Sequence, residues 1–187
     1  MGDVQRFVVD TCVVVAVLEN EDASHPPHEV DAARALLAMA DRDKVVLHRA
    51  PAFDRDWERI ADPTKRAARL AWLGESPIAG VVAAGVFRLD VSVLGGPDVL
   101  GGDGHAELDQ ELLRVLGDTR SDKGEAKRSS DRDHLIAAVR SGANGMVTVD
   151  YDTLLVHRPK LAALGVTVLW PTEALALALG DSSPERR

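Results

Sequence analysis

The chain has 187 residues, 45% hydrophobic and 28% charged, the balance of one soluble globular domain. Its formal net charge of -8 argues against a broadly basic wrapper of nucleic acid, though not against an enzyme that meets nucleic acid through metal ions and a local basic strip. A lone cysteine, Cys12, excludes an intrachain disulfide and a Cys-rich zinc site.

Aromatic residues make up only 4%, so an aliphatic core is expected. The opening "MGDVQRF" lacks the basic-then-apolar layout of a leader. No apolar run approaches the roughly 20 residues of a membrane helix. A cytoplasmic protein without a membrane segment is the expectation.

Along the chain, "RFVVD" is β-branched, apolar and short, which predicts a buried strand ending at Asp10. "TCVVVAVLEN" either extends that strand or begins a helix. "SHPPHEVDAARALLAMADRD" predicts a turn and a helix, since Val30, Ala33, Leu36, Leu37 and Ala40 keep helical spacing. "KVVLH" is a second strand, and "PAFDRDWERIAD" a helix with Pro51 at its start. "PTKRAARLAWL" and "SPIAGVVAAGV" are expected to be helices, and "FRLDVSVL" a strand. The glycine-rich stretch 95–104 predicts a loop, "HAELDQELLRVL" an amphipathic helix, and "GDTRSDKGEAKR" a charged loop. "SSDRDHLIAAVRSGA" predicts a helix with a serine cap and a glycine stop. "GMVTVD" is a strand, "YDTLLVHRPKLAAL" a helix, "GVTVLW" a strand and "PTEALALAL" a closing helix before a frayed tail at 181–187. Alternating strands and helices imply an α/β fold, a three-layer α/β/α sandwich with a mainly parallel central sheet. A single domain is expected over 1–180, with a loop and helix insertion at about 94–128.

Four segments can each bring an acid to one end of that sheet. Asp10 and Asp150 end strands, Asp131 opens the helix before the second of these, and Asp54 and Asp56 lie early in the helix after "KVVLH". In open α/β sheets, ligands sit beyond the carboxyl ends of the strands. Clustered carboxylates repel one another, and burial raises their pKa, so a cation is needed to keep them ionised. Oxygen-only donors select hard ions such as Mg2+ or Mn2+. Such ions, holding water and a phosphate oxygen, serve phosphodiester hydrolysis. Each acid also has a plainer reading: Asp10 as a helix N-cap, Asp131 as first-turn charge complementing the helix dipole, and the rest as solvated groups.

The same residues carry a family resemblance. "FVVDTCVVVAVL" resembles the opening of PIN-domain ribonucleases, and "DRDHLIAAVRSGANGMVTVDYDTL" is similar to their closing half. "PAFDRDWERIAD" resembles the helix that supplies their second acid, and "LGVTVLWPTEAL" their last strand and helix. The resemblance covers both ends of the chain but not residues 75–128. It implies a PIN-like fold and a Mg2+- or Mn2+-dependent endoribonuclease, the VapC-like toxin of a VapBC-type toxin–antitoxin pair. It further implies an RNA substrate, an antitoxin partner and a homodimer. Asp10, Asp131 and Asp150 would hold the metal, helped by Asp56, with Asp54, Asp133 and Asp152 as rival or auxiliary acids. Thr11, Cys12 and Thr148 would support these ligands from behind.

Between Asp131 and Asp133, helix geometry favours Asp131. It shares a face with Leu135 and Ala138, whereas Asp133 lies about 200° around the helix from it. The strip holding Lys127, Arg128 and Arg132, with Arg120, Lys123 and Arg140, is either an RNA-phosphate contact or a solvated run, since Asp118, Asp122 and Glu125 are interleaved. His134 is read as an ordinary helix residue. A catalytically silent PIN-like RNA- or protein-binding module is the alternative, and Cys12 and the aspartate in place of the family's usual glutamate are the features that favour it. A dimer surface is expected on residues 68–73 and 78–86.

Overall fold

Phe7, Val8 and Val9 point alternately to the two faces of a central sheet, and both faces are buried. The computed structural model describes residues 4–19, 25–80, 105–117 and 122–180. Among these, β1 (Gln5–Val9), β2 (Val45–Arg49), β3 (Ile78–Gly80), β4 (Gly145–Val147) and β5 (Val168–Leu169) form a sheet in the order β3-β2-β1-β4-β5. All four pairings are parallel, with Phe7 opposite Leu47 on one side and Gly145 on the other. The pleat sorts the core. Phe7, Val9, Leu47, Val147 and Leu169 enter one apolar cluster, while Val8, Met146 and Val168 enter a second. Gly145 suits the start of β4, because a Cβ there would press on Leu169 Cδ1 at 3.0 Å and the Thr167 carbonyl at 3.1 Å.

Helices cover both faces. On the first lie α1 (Thr11–Leu18), α2 (Pro27–Ala40), α3 (Pro51–Glu58), α4 (Pro63–Glu75) and α8 (Pro171–Leu179). On the second lie α5 (His105–Leu116), α6 (Asp122–Arg140) and α7 (Arg158–Ala163). The result is a three-layer α/β/α sandwich around a parallel sheet. Fully buried Phe53 in α3 contributes about 1.5–3 kcal/mol. Phe53 and Trp57, with ring centroids 4.8 Å apart, tie α3 to the first core. The helix that carries Asp54 and Asp56 is therefore held rigidly. No described helix is long and apolar enough to cross a membrane.

Several boundaries differ from the sequence expectation. "TCVVVAVL" is a helix, because Asp10 caps its N-terminus. The expected helix at "SPIAGVVAAGV" begins instead with strand β3, which pairs Ile78 with Leu47 at the sheet edge; the rest of it, the strand "FRLDVSVL" and the loop at 95–104 lie outside the described residues. The charged loop at 117–128 is, from Asp122 onward, the start of α6. Ser129 and Ser130 are consequently mid-helix rather than caps, and Asp131 is not in a first turn. α5 sends Leu112 and Leu116 into the second core, so this part of the expected insertion belongs to the sandwich. The glycine stop is present: Gly142 adopts φ +63 after α6, and the Ala143 N–H returns to the Ala138 carbonyl. "YDTLLVHRPKLAAL" is a turn, a short 3-10 segment at Leu155–His157 and then α7. The tail at 181–187 lies outside the described residues.

Candidate active site

From β1 the chain runs outward to β2 and β3 on one side, and later to β4 and β5 on the other. The order therefore reverses between β1 and β4. In open α/β sheets the crevice beyond the carboxyl ends of the strands at such a reversal is the usual ligand position. Asp10 follows β1 directly, and Asp150 stands three residues beyond β4.

Asp10 is buried, with 6% of its surface exposed. Its Oδ2 accepts from Thr148 Oγ1 at 2.6 Å and from Cys12 Sγ at 3.0 Å, and its Oδ1 faces the Cys12 N–H at 3.5 Å. The N-cap reading of this residue is thus true. An ordinary cap is solvated and stands alone, however, whereas this carboxylate is buried and faces others. Burial and then the charge of Asp10 push the Cys12 thiol well up, so it stays protonated and able to donate. Thr148 Oγ1 also accepts from the Asp150 N–H at 3.0 Å, which links the two strand ends.

α6 supplies the centre of the cluster. Lys127, Ser130, Asp131 and His134 fall at helical spacing on one face. Asp131 Oδ2 is buried and has no hydrogen-bond partner. Burial, then Asp10 and further Asp150, push this carboxyl up to about 7, with Lys127 and His134 opposing. Asp150 behaves differently. Burial pushes it up, but Lys127 Nζ, 2.8 Å from its Oδ2, and the Thr153 N–H, 2.9 Å from its Oδ1, bring it below the ordinary carboxylate value.

Asp56 completes the group from α3. Its Oδ2 accepts from Ser130 Oγ at 2.7 Å and from Thr11 Oγ1 at 3.2 Å, with His134 Nε2 at 3.8 Å. Burial raises this carboxyl, yet His134, Ser130 and Thr11 together lower it on balance. His134 is buried and lies 4.0 Å from Asp10 Oδ1. Burial lowers its pKa, but Asp56, Asp10 and Asp131 outweigh that and raise it. His134, expected from the sequence to be an ordinary helix residue, shares the acid face because it stands three residues after Asp131.

The rival acids stand elsewhere. Asp54 pairs with Arg49 Nε at 2.8 Å. Asp133 is buried against Arg55 of α3. Asp152 is exposed. The proposed RNA contacts divide as well. Lys127, more than half exposed, is engaged with Asp150 and Thr153. Arg132 is buried, its Nε donating to Asp109 Oδ1 at 3.0 Å, so it is no surface phosphate contact. Arg128 is half-buried, with Nη1 enclosed and without a hydrogen-bond partner.

Carboxylate oxygens from three segments, one of them buried and unpartnered on Asp131, suit a hard divalent cation. Among the described residues, no three His, Cys, Asp or Glu side chains are gathered at metal-holding spacing. Lys127 sets its ammonium against Asp150 from the rim of the cluster, and His134 stands beside Asp10 and Asp56. No family model, curated protein or solved structure matches the chain.

Proposed function

We propose that the chain is a Mg2+- or Mn2+-dependent endoribonuclease, acting on RNA as the toxin of a toxin–antitoxin pair. One observation carries the catalytic part: acids that follow β1 and β4 and one from α6 stand at the switch point of the sheet, and the Oδ2 of Asp131 is buried there without a hydrogen-bond partner. Asp10, Asp131 and Asp150 would hold the ion. When bound, it supplies Lewis acidity at a phosphate oxygen and lowers the pKa of a water for in-line attack on phosphorus.

The chain's own groups do the rest. Thr148 and Cys12 fix the Asp10 carboxylate by donating to Oδ2. Thr11 and Ser130 orient Asp56. His134 stands beside Asp10 and Asp56, whose charges favour its protonated form against the cost of burial. The toxin role and the antitoxin partner rest on the resemblance of the opening and closing segments to PIN-domain ribonucleases.

A specific observation favours the silent-module alternative: Lys127 already satisfies Asp150. Metal titration separates the two. Mn2+ binds the folded site and not the unfolded chain, so it raises the melting temperature of a true metal site. Asp10→Asn abolishes most of that rise under the proposed function. An unchanged response in Asp10→Asn removes Asp10 from the site, and no response in the wild type favours the silent module.

A further inference from the structure

Tyr151 is the chain's only tyrosine and follows Asp150 directly. The residue is 59% exposed, and its ring stacks on Trp170 with centroids 6.5 Å apart and planes at 19°. Trp170 follows β5 and caps α8; its backbone N–H donates to Glu173 Oε2 at 2.8 Å, and its side chain packs on both apolar cores. The inner member of the stack is therefore fixed, while the outer one faces solvent. The chain is poor in aromatic residues, and Phe7, Phe53 and Trp57 are all fully buried. One face of the Tyr151 ring covers part of Trp170, and the residue still leaves more than half of its surface to solvent. β4 and β5 are neighbours, which puts the stack at the same end of the sheet as the acids, one strand beyond β4.

We propose that the Tyr151–Trp170 stack is a seat for an unpaired nucleobase of the strand whose phosphate meets Asp10, Asp131 and Asp150. This rests on the nuclease reading of those acids. Every base has a planar face that stacks on an aromatic ring with little regard to sequence. In a duplex both faces of a base are covered by its neighbours, so the seat selects single strands, loops and bulges. Tyr151 then grips the strand beside the site without touching the reacting atoms. Trp170 holds Tyr151 in position.

The test is binding of a fluorescent single-stranded RNA to the full chain, in EDTA and again in Ca2+, with strand length checked afterwards. The comparisons are the same sequence as a duplex and as an abasic strand. The wild type prefers the single strand with its bases. Tyr151→Ala weakens that binding by about 5- to 100-fold and Tyr151→Phe retains it. The abasic strand binds wild type and Tyr151→Ala alike, because both changes remove the same contact. The Mn2+ shift in melting temperature is the same in Tyr151→Ala as in the wild type, which shows an intact acid cluster. Wild-type affinity in Tyr151→Ala, full affinity for the abasic strand, or no strand binding by the wild type each overturns the seat. Mn2+ binding with RNA cleavage but no dependence on Tyr151 sinks the seat and leaves the nuclease standing. Base-dependent binding without any Mn2+ response does the reverse.

Discussion

Replacing Asp131 with asparagine should stabilise the metal-free protein, by an amount that depends on pH. The folded carboxyl titrates at about 7 against an ordinary 3.8 because it is buried beside Asp10 and Asp150. At about 1.4 kcal/mol for each tenfold change in proton affinity, the ionised form costs the fold about 4 kcal/mol. The sign follows from linkage. The folded pKa lies above the unfolded one, so the unfolded chain releases this proton first. The wild type has its full stability from this group below about pH 4, loses it as pH rises to about 7, and loses no more beyond. Asparagine has nearly the same shape, has no proton to lose, and can donate to the neighbouring carboxylates. Urea unfolding in EDTA, from pH 4 to 8, then gives a stability difference that starts near zero and grows to about 4 kcal/mol in favour of Asp131→Asn. In melting temperature this is about 10 °C at pH 8 for a chain of this size. Mn2+ reverses the order, since it stabilises the wild type and not the variant. A pH-independent difference, or a wild type more stable at pH 8 in EDTA, refutes the burial and repulsion assigned to Asp131.

Three other outcomes are expected. Lys127→Met removes the cation from Asp150; because Lys127 is more than half exposed, metal-free stability falls by no more than about 1 kcal/mol, while calorimetry shows tighter Mn2+ binding, and weaker binding would contradict Lys127 as a competitor for Asp150. Asp133→Asn removes the buried charge set against Arg55 and costs about 3 kcal/mol in urea unfolding, yet the folded variant keeps most RNA cleavage; loss of cleavage at equal folded fraction would make Asp133 the third acid. α4 exposes Leu70 and buries Leu73, so sedimentation at tens of micromolar gives a homodimer that Leu70→Arg splits; a monomeric wild type disposes of this surface.

The parallel sheet was legible because its strands are buried on both faces. "FVV" and "MV" are continuous apolar runs rather than alternating ones. β3 was not legible. It is a three-residue edge strand drawn from a run of small apolar residues, and only its pairing with β2 makes it a strand. The start of α6 was equally hidden, since "DKGEAKR" has no apolar period and reads as solvated charge. Helix geometry sets Asp131 and Asp133 on different faces, and in the fold Asp133 meets Arg55 of α3. The choice between Asp54 and Asp56 needed three dimensions. Buried Trp57 sets the rotation of α3, which aims Asp56 at Thr11 and Ser130 and leaves Asp54 to Arg49. The basic strip split for the same reason. Lys127 shares a face with Asp131, whereas Arg132 turns under α5 to Asp109. No local pattern of charges reports the position of α5.

The most direct measurement is cleavage of a labelled single-stranded RNA by wild type and by Asp131→Asn, purified in parallel and assayed with Mn2+ and with EDTA. The expected result is cleavage by the wild type that needs Mn2+ and is lost in Asp131→Asn, although that variant is the more stable protein without metal. Cleavage that survives in Asp131→Asn, or that proceeds in EDTA, would contradict a metal site built on Asp10, Asp131 and Asp150.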